Sequence, residues 1–231
     1  MKKIAVVVGS PKSQETSVTY SVASSFVEDL KKSGNHVQAD IVYLSALNIA
    51  CCKGCLVCQH TGECVIRDDM ETIKRKIQQA DIVVFGSPVH FAHVSSVFQS
   101  FIERMLIPLH TFDYLGKPFI NVVTTNGSGE EEADKYLTKI GLLFGCIKIG
   151  SIIKLANDKF DEKAYRNLVT KAGLILERKK PKARVINKLY FSSMRDIIQK
   201  NKDYFKAETA IWESRNWFER SYNEIYKELT Q

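Results

Sequence analysis

Five of the six cysteines fall within one short stretch, Cys51, Cys52, Cys55, Cys58 and Cys64, and the sixth is Cys146. Four of the five carry the spacing Cys52-x2-Cys55-x2-Cys58-x5-Cys64. Short loops let consecutive cysteines turn inward on one centre, as thiolates do around a [4Fe–4S] cube. Zinc is a second candidate, although structural zinc usually takes two separated cysteine pairs. Reduced thiols with no metal are a third. In this register Cys51 is a bystander beside Cys52. Cys146 lies in an apolar pattern and reads as a small buried hydrophobe. Such a cluster in a chain without secretory features points to metal or redox chemistry before disulfides.

Three further segments carry binding chemistry. Gly9-Ser10-Pro11-Lys12-Ser13-Gln14-Glu15-Thr16-Ser17-Val18-Thr19 leaves an apolar run and opens a helix. Its hydroxyls, its lysine and the free N–H groups of a helix start suit a phosphate. It has neither the Gly-Lys-Ser/Thr of a Walker loop nor the Gly-x-Gly-x-x-Gly of a dinucleotide turn, so a monophosphate fits better. The plain alternative is a turn capped by Thr16 or Ser17. Gly86-Ser87-Pro88-Val89-His90-Phe91-Ala92-His93-Val94-Ser95 sets an aromatic beside exposed backbone, which a flat heteroaromatic ring would use. His90 is the candidate for ring contact, and His93 reads as ordinary loop polarity. Thr124-Thr125-Asn126-Gly127-Ser128-Gly129-Glu130 holds an Asn-Gly turn signal and admits close ligand approach. The chain contains no Gly-x-Ser-x-Gly and no His-Glu-x-x-His, and no side chain is assigned as nucleophile or general base.

The elements that must position these segments alternate. Strand patterns cover Ile4–Val8, His36–Tyr43, Ala80–Gly86, Pro118–Thr124 and Cys146–Leu155. Helical spacing covers Ser17–Lys32, Met70–Gln79, Ser95–Leu106, Glu131–Phe144 and Asp161–Glu177, with Val18, Val22, Phe26 and Leu30 as the repeating face of the first. Cys51–Cys64 reads as a loop. Five strands alternating with helices predict an α/β fold, a doubly wound five-stranded parallel sheet in the flavodoxin-like order 2-1-3-4-5. Ligands of such sheets bind outside the carboxyl ends of the strands, where the three segments would meet. Pro181 marks a break. Residues 1–180 are expected to form the main domain and 181–231 an extension of one or two helices, rich in aromatic residues that need cover from the sheet or a second subunit.

At 231 residues, with 45% apolar and 26% charged, the chain can form a buried core, which excludes global disorder. No apolar run approaches the roughly 18 residues of a membrane span. Met1-Lys2-Lys3 leads straight into a strand pattern, so a cytoplasmic protein is expected. The net charge of +7 is concentrated late, since residues 178–206 hold ten Lys/Arg against two Asp/Glu. The run Arg178-Lys179-Lys180-Pro181-Lys182 with Arg184 could meet an anionic partner, such as the phosphates of NADPH or an acidic electron-transfer protein. No recognition motif supports nucleic acid. A homo-oligomer is the default for such a chain.

Over roughly residues 1–155 the chain resembles the flavodoxin-like NAD(P)H-dependent FMN reductases, and most closely their iron–sulfur flavoprotein branch. The matching residues are Gly-Ser-Pro-Lys at 9–12, the cysteine run with Gly62-Glu63-Cys64-Val65-Ile66 and Asp68-Asp69-Met70, Ser87-Pro88-Val89, and Phe101-Ile102-Glu103-Arg104. The resemblance implies that Ser10, Lys12, Thr16, Ser17 and Val18 hold the FMN phosphate. It implies that Pro88, Val89, His90 and Phe91 line the isoalloxazine ring, with Thr125, Asn126 and Gly127 along its other edge. His90 stands where the family usually has Tyr, and Glu15-Thr16 where Gly-Asn is common. NAD(P)H is the implied electron donor, with a flavin, quinone, small molecule or protein as acceptor. The branch carries a compact cysteine motif of the kind seen at Cys52, Cys55, Cys58 and Cys64. The competing reading is a non-enzymatic module that binds metal and a polyanion on the same scaffold.

Overall fold

The computed structural model describes residues 1–156, 160–177 and 180–229. Its strands are β1 (Lys2–Val8), β2 (Val37–Tyr43), β3 (Ile82–His90), β4 (His93–Val94), β5 (Pro118–Thr125) and β6 (Ile147–Leu155). Its helices are α1 (Val18–Lys32), α2 (Val57–Thr61), α3 (Met70–Gln79), α4 (Ser96–Glu103), α5 (Leu106–His110), α6 (Glu130–Leu143), α7 (Glu162–Glu177), α8 (Val185–Lys200), α9 (Lys206–Ser214) and α10 (Tyr222–Leu229).

The five long strands are parallel and lie in the order β2-β1-β3-β5-β6, which is the expected 2-1-3-4-5. The two-residue β4 is an addition, folding back antiparallel on the end of β3. Alternate residues of each strand feed two apolar layers. Ile4, Val6 and Val8 pack with Phe26 and Leu30 of α1 and Leu168 and Ala172 of α7. Ala5 and Val7 pack with Ile73 of α3, Phe98 and Phe101 of α4 and Leu137 of α6. Cover on both faces is why β1 reads as an unbroken apolar run.

Four local expectations change. The strand expected to stop at Gly86 continues through His90, where Pro88 stands opposite Thr124 of β5. The helix expected over Ser95–Leu106 ends at Glu103, and α5 follows as a separate piece. The cysteine loop contains α2. The extension forms three helices rather than one or two, because the chain turns after Asn201 and again at Asn216, which adopts φ 52°. Asparagine tolerates that left-handed conformation better than most residues.

The extension is continuous with the main body. Phe191, Trp212, Trp217 and Tyr222 bury against Phe112 and Leu115, which follow α5. The Trp212 indole Nε1–H donates to the His110 carbonyl at 3.1 Å. This covers most of the aromatic surface of the extension, while Tyr204 with Leu189 and Ile197 stays exposed. Lys180, Lys182 and Arg184 are exposed, whereas Arg178 and Lys179 of the same basic run lie outside the described residues. Among the described residues no helix is long and apolar enough to cross a membrane.

Candidate functional site

A cleft of about 410 Å³ opens at the carboxyl ends of β1, β3, β5 and β6. Its first wall is the segment after β1, through Ser10, Pro11, Lys12, Val18 and Thr19. Ser17 caps α1, accepting the Tyr20 N–H at 3.1 Å. The Val18 and Thr19 N–H groups, at the helix start, have no carbonyl one turn earlier in the helix to bond. No acidic residue lies in that first turn, so the positive end of the helix dipole faces the cleft uncompensated. Ser10 is buried, and its Oγ accepts the Lys12 N–H at 3.4 Å. The Tyr43 hydroxyl donates to the Lys12 carbonyl at 2.6 Å and pins the segment to β2.

The second wall is Pro88, Val89 and His90 at the end of β3, and the third is Thr124, Thr125 and Asn126 at the end of β5. Hydrogen bonds tie the walls together. Gly9 N–H donates to the Gly86 carbonyl at 2.8 Å. The Ser95 hydroxyl donates to the Gly9 carbonyl, and the Ser95 N–H donates to the Ser87 hydroxyl at 3.0 Å. The Thr19 and Thr124 hydroxyls pair at 2.7 Å in the buried floor.

Eight of the twelve residues assigned from the sequence to a flavin nucleotide line this cleft: Ser10, Lys12, Val18, Pro88, Val89, His90, Thr125 and Asn126. The other four do not. Thr16 is exposed and its hydroxyl pairs with Ser13, while Ser17 is the buried cap. Phe91 is fully exposed at the hairpin tip with φ 48°, and Gly127 is exposed with its N–H bonded to Thr125 Oγ1 at 3.1 Å. His93 packs its ring 4.0 Å from that of Tyr136, away from the cleft. Lys154 and Ala156, at the end of β6, line the cleft and were not singled out. The available signal was positional, since the last strand also ends on the ligand-binding rim. Fixed N–H donors, two lysines and a partly apolar slot suit an anionic group joined to a flat ring.

Cys52, Cys55, Cys58 and Cys64 all line one small pocket of about 50 Å³. The backbone reverses between each successive pair, at Gly54 (φ 63°), Leu56 (φ 57°) and Gly62 (φ 80°). These reversals aim the four side chains at a common space. Burial pushes the Cys58 thiol up, and the nearby Cys64, Cys52 and Cys55 push it further, against a backbone N–H that lowers it. Cys51 points elsewhere, 3.7 Å from the Ser100 hydroxyl. Cys146 is fully buried and its thiol is pushed up to about 12, which leaves it inert. Among the described residues no three His, Cys, Asp or Glu side chains gather around one ion position. Four thiols on one pocket are a donor set that a [4Fe–4S] cube or a zinc ion would take, and reduced thiols with no metal fit the same arrangement.

The ends of the cysteine loop are clamped by a buried ion pair. Arg104 Nη1 donates to Asp68 Oδ2 at 2.6 Å and Nη2 to Oδ1 at 3.1 Å, with both side chains almost wholly buried. Arg104 also donates to the Ala50 carbonyl at 2.8 Å and the Ile66 carbonyl at 3.3 Å, while Asp68 accepts the Ala50 N–H at 3.0 Å. Burial alone would raise the Asp68 carboxyl, but the hydrogen bonds from Arg104, Ala50 and Met70 outweigh it and hold the group below its ordinary value. Burial likewise works against the charged Arg104, but Asp68 and Cys64 outweigh it and hold the guanidinium above its ordinary value. The sequence offered Asp68 only as part of the matching run Asp68-Asp69-Met70, with no partner. Outside the loop, α9 packs against α2, and fully buried Glu208 meets His110 Nδ1 at 2.9 Å. The extension therefore braces the cysteine loop.

The sequence profile of the family described as NADPH-dependent FMN reductase matches residues 2–160. An iron-sulfur flavoprotein of Archaeoglobus fulgidus is 34% identical over 125 residues, covering 54% of this chain and 56% of that protein. An iron-sulfur flavoprotein of Clostridioides difficile is 30% identical over 150 residues, covering 64% and 65%. The matched region is thus less than two thirds of the length of these curated relatives. The solved structure of RosB with bound 8-demethyl-8-formylriboflavin-5'-phosphate superposes with a TM-score of 0.61 at 13% identity, covering 77% of this chain and 79% of that one, a likeness of fold.

Proposed function

The chain belongs to the NADPH-dependent FMN reductase family, and from that premise we propose that it is an FMN-dependent oxidoreductase drawing electrons from NAD(P)H, with a [4Fe–4S] cluster on Cys52, Cys55, Cys58 and Cys64. The observation that carries this reading is the cleft at the strand ends, where three separate segments converge on a slot of nucleotide size. The four cysteines around one pocket support its second half. Similarity to proteins named iron-sulfur flavoproteins supports it further.

Bound FMN would supply two-electron redox chemistry and a bound cluster single-electron chemistry, so a hydride donor could serve a flavin, quinone, small-molecule or protein acceptor. The chain's own work is placement. Lys12, buried Ser10 and the N–H groups at the start of α1 bind the phosphate, with Thr16 and Ser17 shaping the turn that presents them. Pro88, Val89 and His90 face the ring on one side, with Thr125 and Asn126 on the other, and Phe91 and Gly127 form the outer rim. The buried Thr19–Thr124 pair fixes the distance between phosphate and ring walls. No proton need be moved by a side chain.

The test is anaerobic reconstitution followed by an absorption spectrum, flavin and iron analysis, and a titration with FMN against riboflavin. The reading requires one FMN per chain, about four irons, and tighter binding of FMN than of riboflavin. A colourless protein that takes up neither flavin nor iron but binds a polyanion would establish the non-enzymatic module instead.

A further inference from the structure

Arg104 has one donor that its clamp does not use. Its Nη atoms serve Asp68, Ala50 and Ile66, yet its Nε–H is buried with no hydrogen-bond partner among the described residues. A buried donor left unpaired costs about 1–3 kcal/mol, so its presence calls for an acceptor. Arg104 lines the same pocket as the four cysteines. The Cys64 sulfur is close enough that its charge, when present, acts directly on the guanidinium. Of the pocket's other cations, Lys74 is already paired with Glu71 at 2.7 Å and Lys53 is exposed.

We infer that Arg104 is a positioning residue for the cluster, its Nε–H donating to the Cys64 sulfur once that sulfur is a metal-bound thiolate. This rests on the reading that the four cysteines hold a [4Fe–4S] cluster, and it adds a role for a residue that is not a ligand. The Asp68 carboxylate fixes the plane of the guanidinium through two parallel bonds, so Nε cannot turn away. A hydrogen bond to a ligating sulfur stabilises the reduced cluster more than the oxidised one, because the extra electron raises negative charge on sulfur. Losing that bond makes the cluster harder to reduce.

The experiment compares reconstituted wild type, Arg104→Lys and the double variant Asp68→Asn with Arg104→Met, which carries no N–H, by iron analysis and by a redox titration followed by electron paramagnetic resonance. Arg104→Lys keeps the charge for Asp68 but carries no N–H on its stem. The double variant removes both charges, so neither is stranded. In both, the reduced fraction of the cluster, taken per iron retained, falls at least threefold at a fixed solution potential, while FMN content is unchanged. An unmoved midpoint in both variants, with iron retained, overturns the role of Nε. Loss of iron from both also overturns it, since a guanidinium that only holds the loop needs no free donor. A wild type that takes up no iron removes the cluster reading itself, and the inference with it.

Discussion

Two glycines two residues apart, Gly127 and Gly129, should respond oppositely to the same substitution. Gly129 adopts φ 90° and ψ 8° where it caps α6, and an added Cβ would lie 2.7 Å from the Ala92 Cα and 3.1 Å from Val89 Cγ1. The left-handed backbone costs an L-residue about 1–2 kcal/mol. The contact is with backbone, which cannot rotate away, and forced shifts of this kind add about 1–3 kcal/mol. Gly129→Ala should therefore lose about 2–5 kcal/mol in urea denaturation. Among the described residues Gly127 has no neighbour within 4 Å of an added Cβ, and it is not in the left-handed region. Gly127→Ala should be neutral or gain about 0.4–1 kcal/mol through the unfolded chain. The Gly129 contact pushes on Val89 and Ala92, the hairpin that lines the cleft and is proposed to face the ring. If about 1.4 kcal/mol of the strain is expressed there, FMN affinity falls tenfold, and riboflavin affinity falls in parallel because the phosphate wall is untouched. Equal stability of the two variants, or FMN affinity lost only in Gly127→Ala, would refute the proposed contact between the two walls.

Four further outcomes are expected. Ser10→Asp with Lys12→Glu sets negative charge against the phosphate wall and should abolish FMN retention while sparing riboflavin; unchanged FMN titration removes that assignment. Cys55→Ala should lose the iron and keep the flavin, and equal iron by elemental analysis counts against the cysteine assignment. Asp134 takes hydrogen bonds from Lys148 at 2.7 Å, Ser151 at 2.6 Å and Asn121 at 2.8 Å, which outweigh burial and hold its carboxyl below the ordinary value. Its stabilising contribution is complete above the unfolded value of about 3.9 and is lost as pH falls through the lower folded value, so Asp134→Asn should weaken the protein at pH 7 and flatten its urea-midpoint loss below pH 4; identical slopes would contradict this. His110→Ala leaves Glu208 buried without a partner at a cost of about 1–3 kcal/mol, loosening α9 from α2, and should speed both proteolysis near residue 205 and iron loss; unchanged rates would show that the brace is dispensable.

The sheet was legible because strands covered on both faces leave unbroken apolar runs, and helices of a doubly wound fold leave a period between them. Burial on α1 shows the limit. The spacing of Val18, Val22, Phe26 and Leu30 marks a helix correctly, yet the buried face is Thr19, Ala23, Phe26, Val27 and Leu30. A threonine and an alanine at the contact let α1 sit close to the sheet, and Val18 turns to the cleft instead. Composition alone cannot reveal that a threonine hydroxyl meets Thr124 across the chain. The end of α4 did carry a signal that the helical spacing masked, since Pro108 has no N–H for the Arg104 carbonyl and its ring crowds that carbonyl, so one helix cannot run through both. The side chain at that end, Arg104, reaches Asp68, 36 residues earlier. The cysteine spacing was visible, but not its clamp, because a buried ion pair joins positions that no local period connects.

Helix α4 relates the two sites in a way that neither set of side chains does alone. At its start, Ser95 accepts the Phe98 N–H at 3.2 Å while its hydroxyl donates to the Gly9 carbonyl, one residue before the phosphate wall. At its end stands Arg104, holding Ala50 and Ile66 on either side of the cysteines. Between them run eight helical residues, a rise of about 12 Å. Phe98 and Phe101 are buried against the sheet, so the helix cannot slide without breaking the core. The chain has therefore fixed the separation of cleft and cysteine pocket with a rigid spacer whose two ends are each hydrogen-bonded into a site. On the proposed function, in which a ring and a cluster exchange electrons, a constant separation would matter more than mobile contacts, and α4 would supply it.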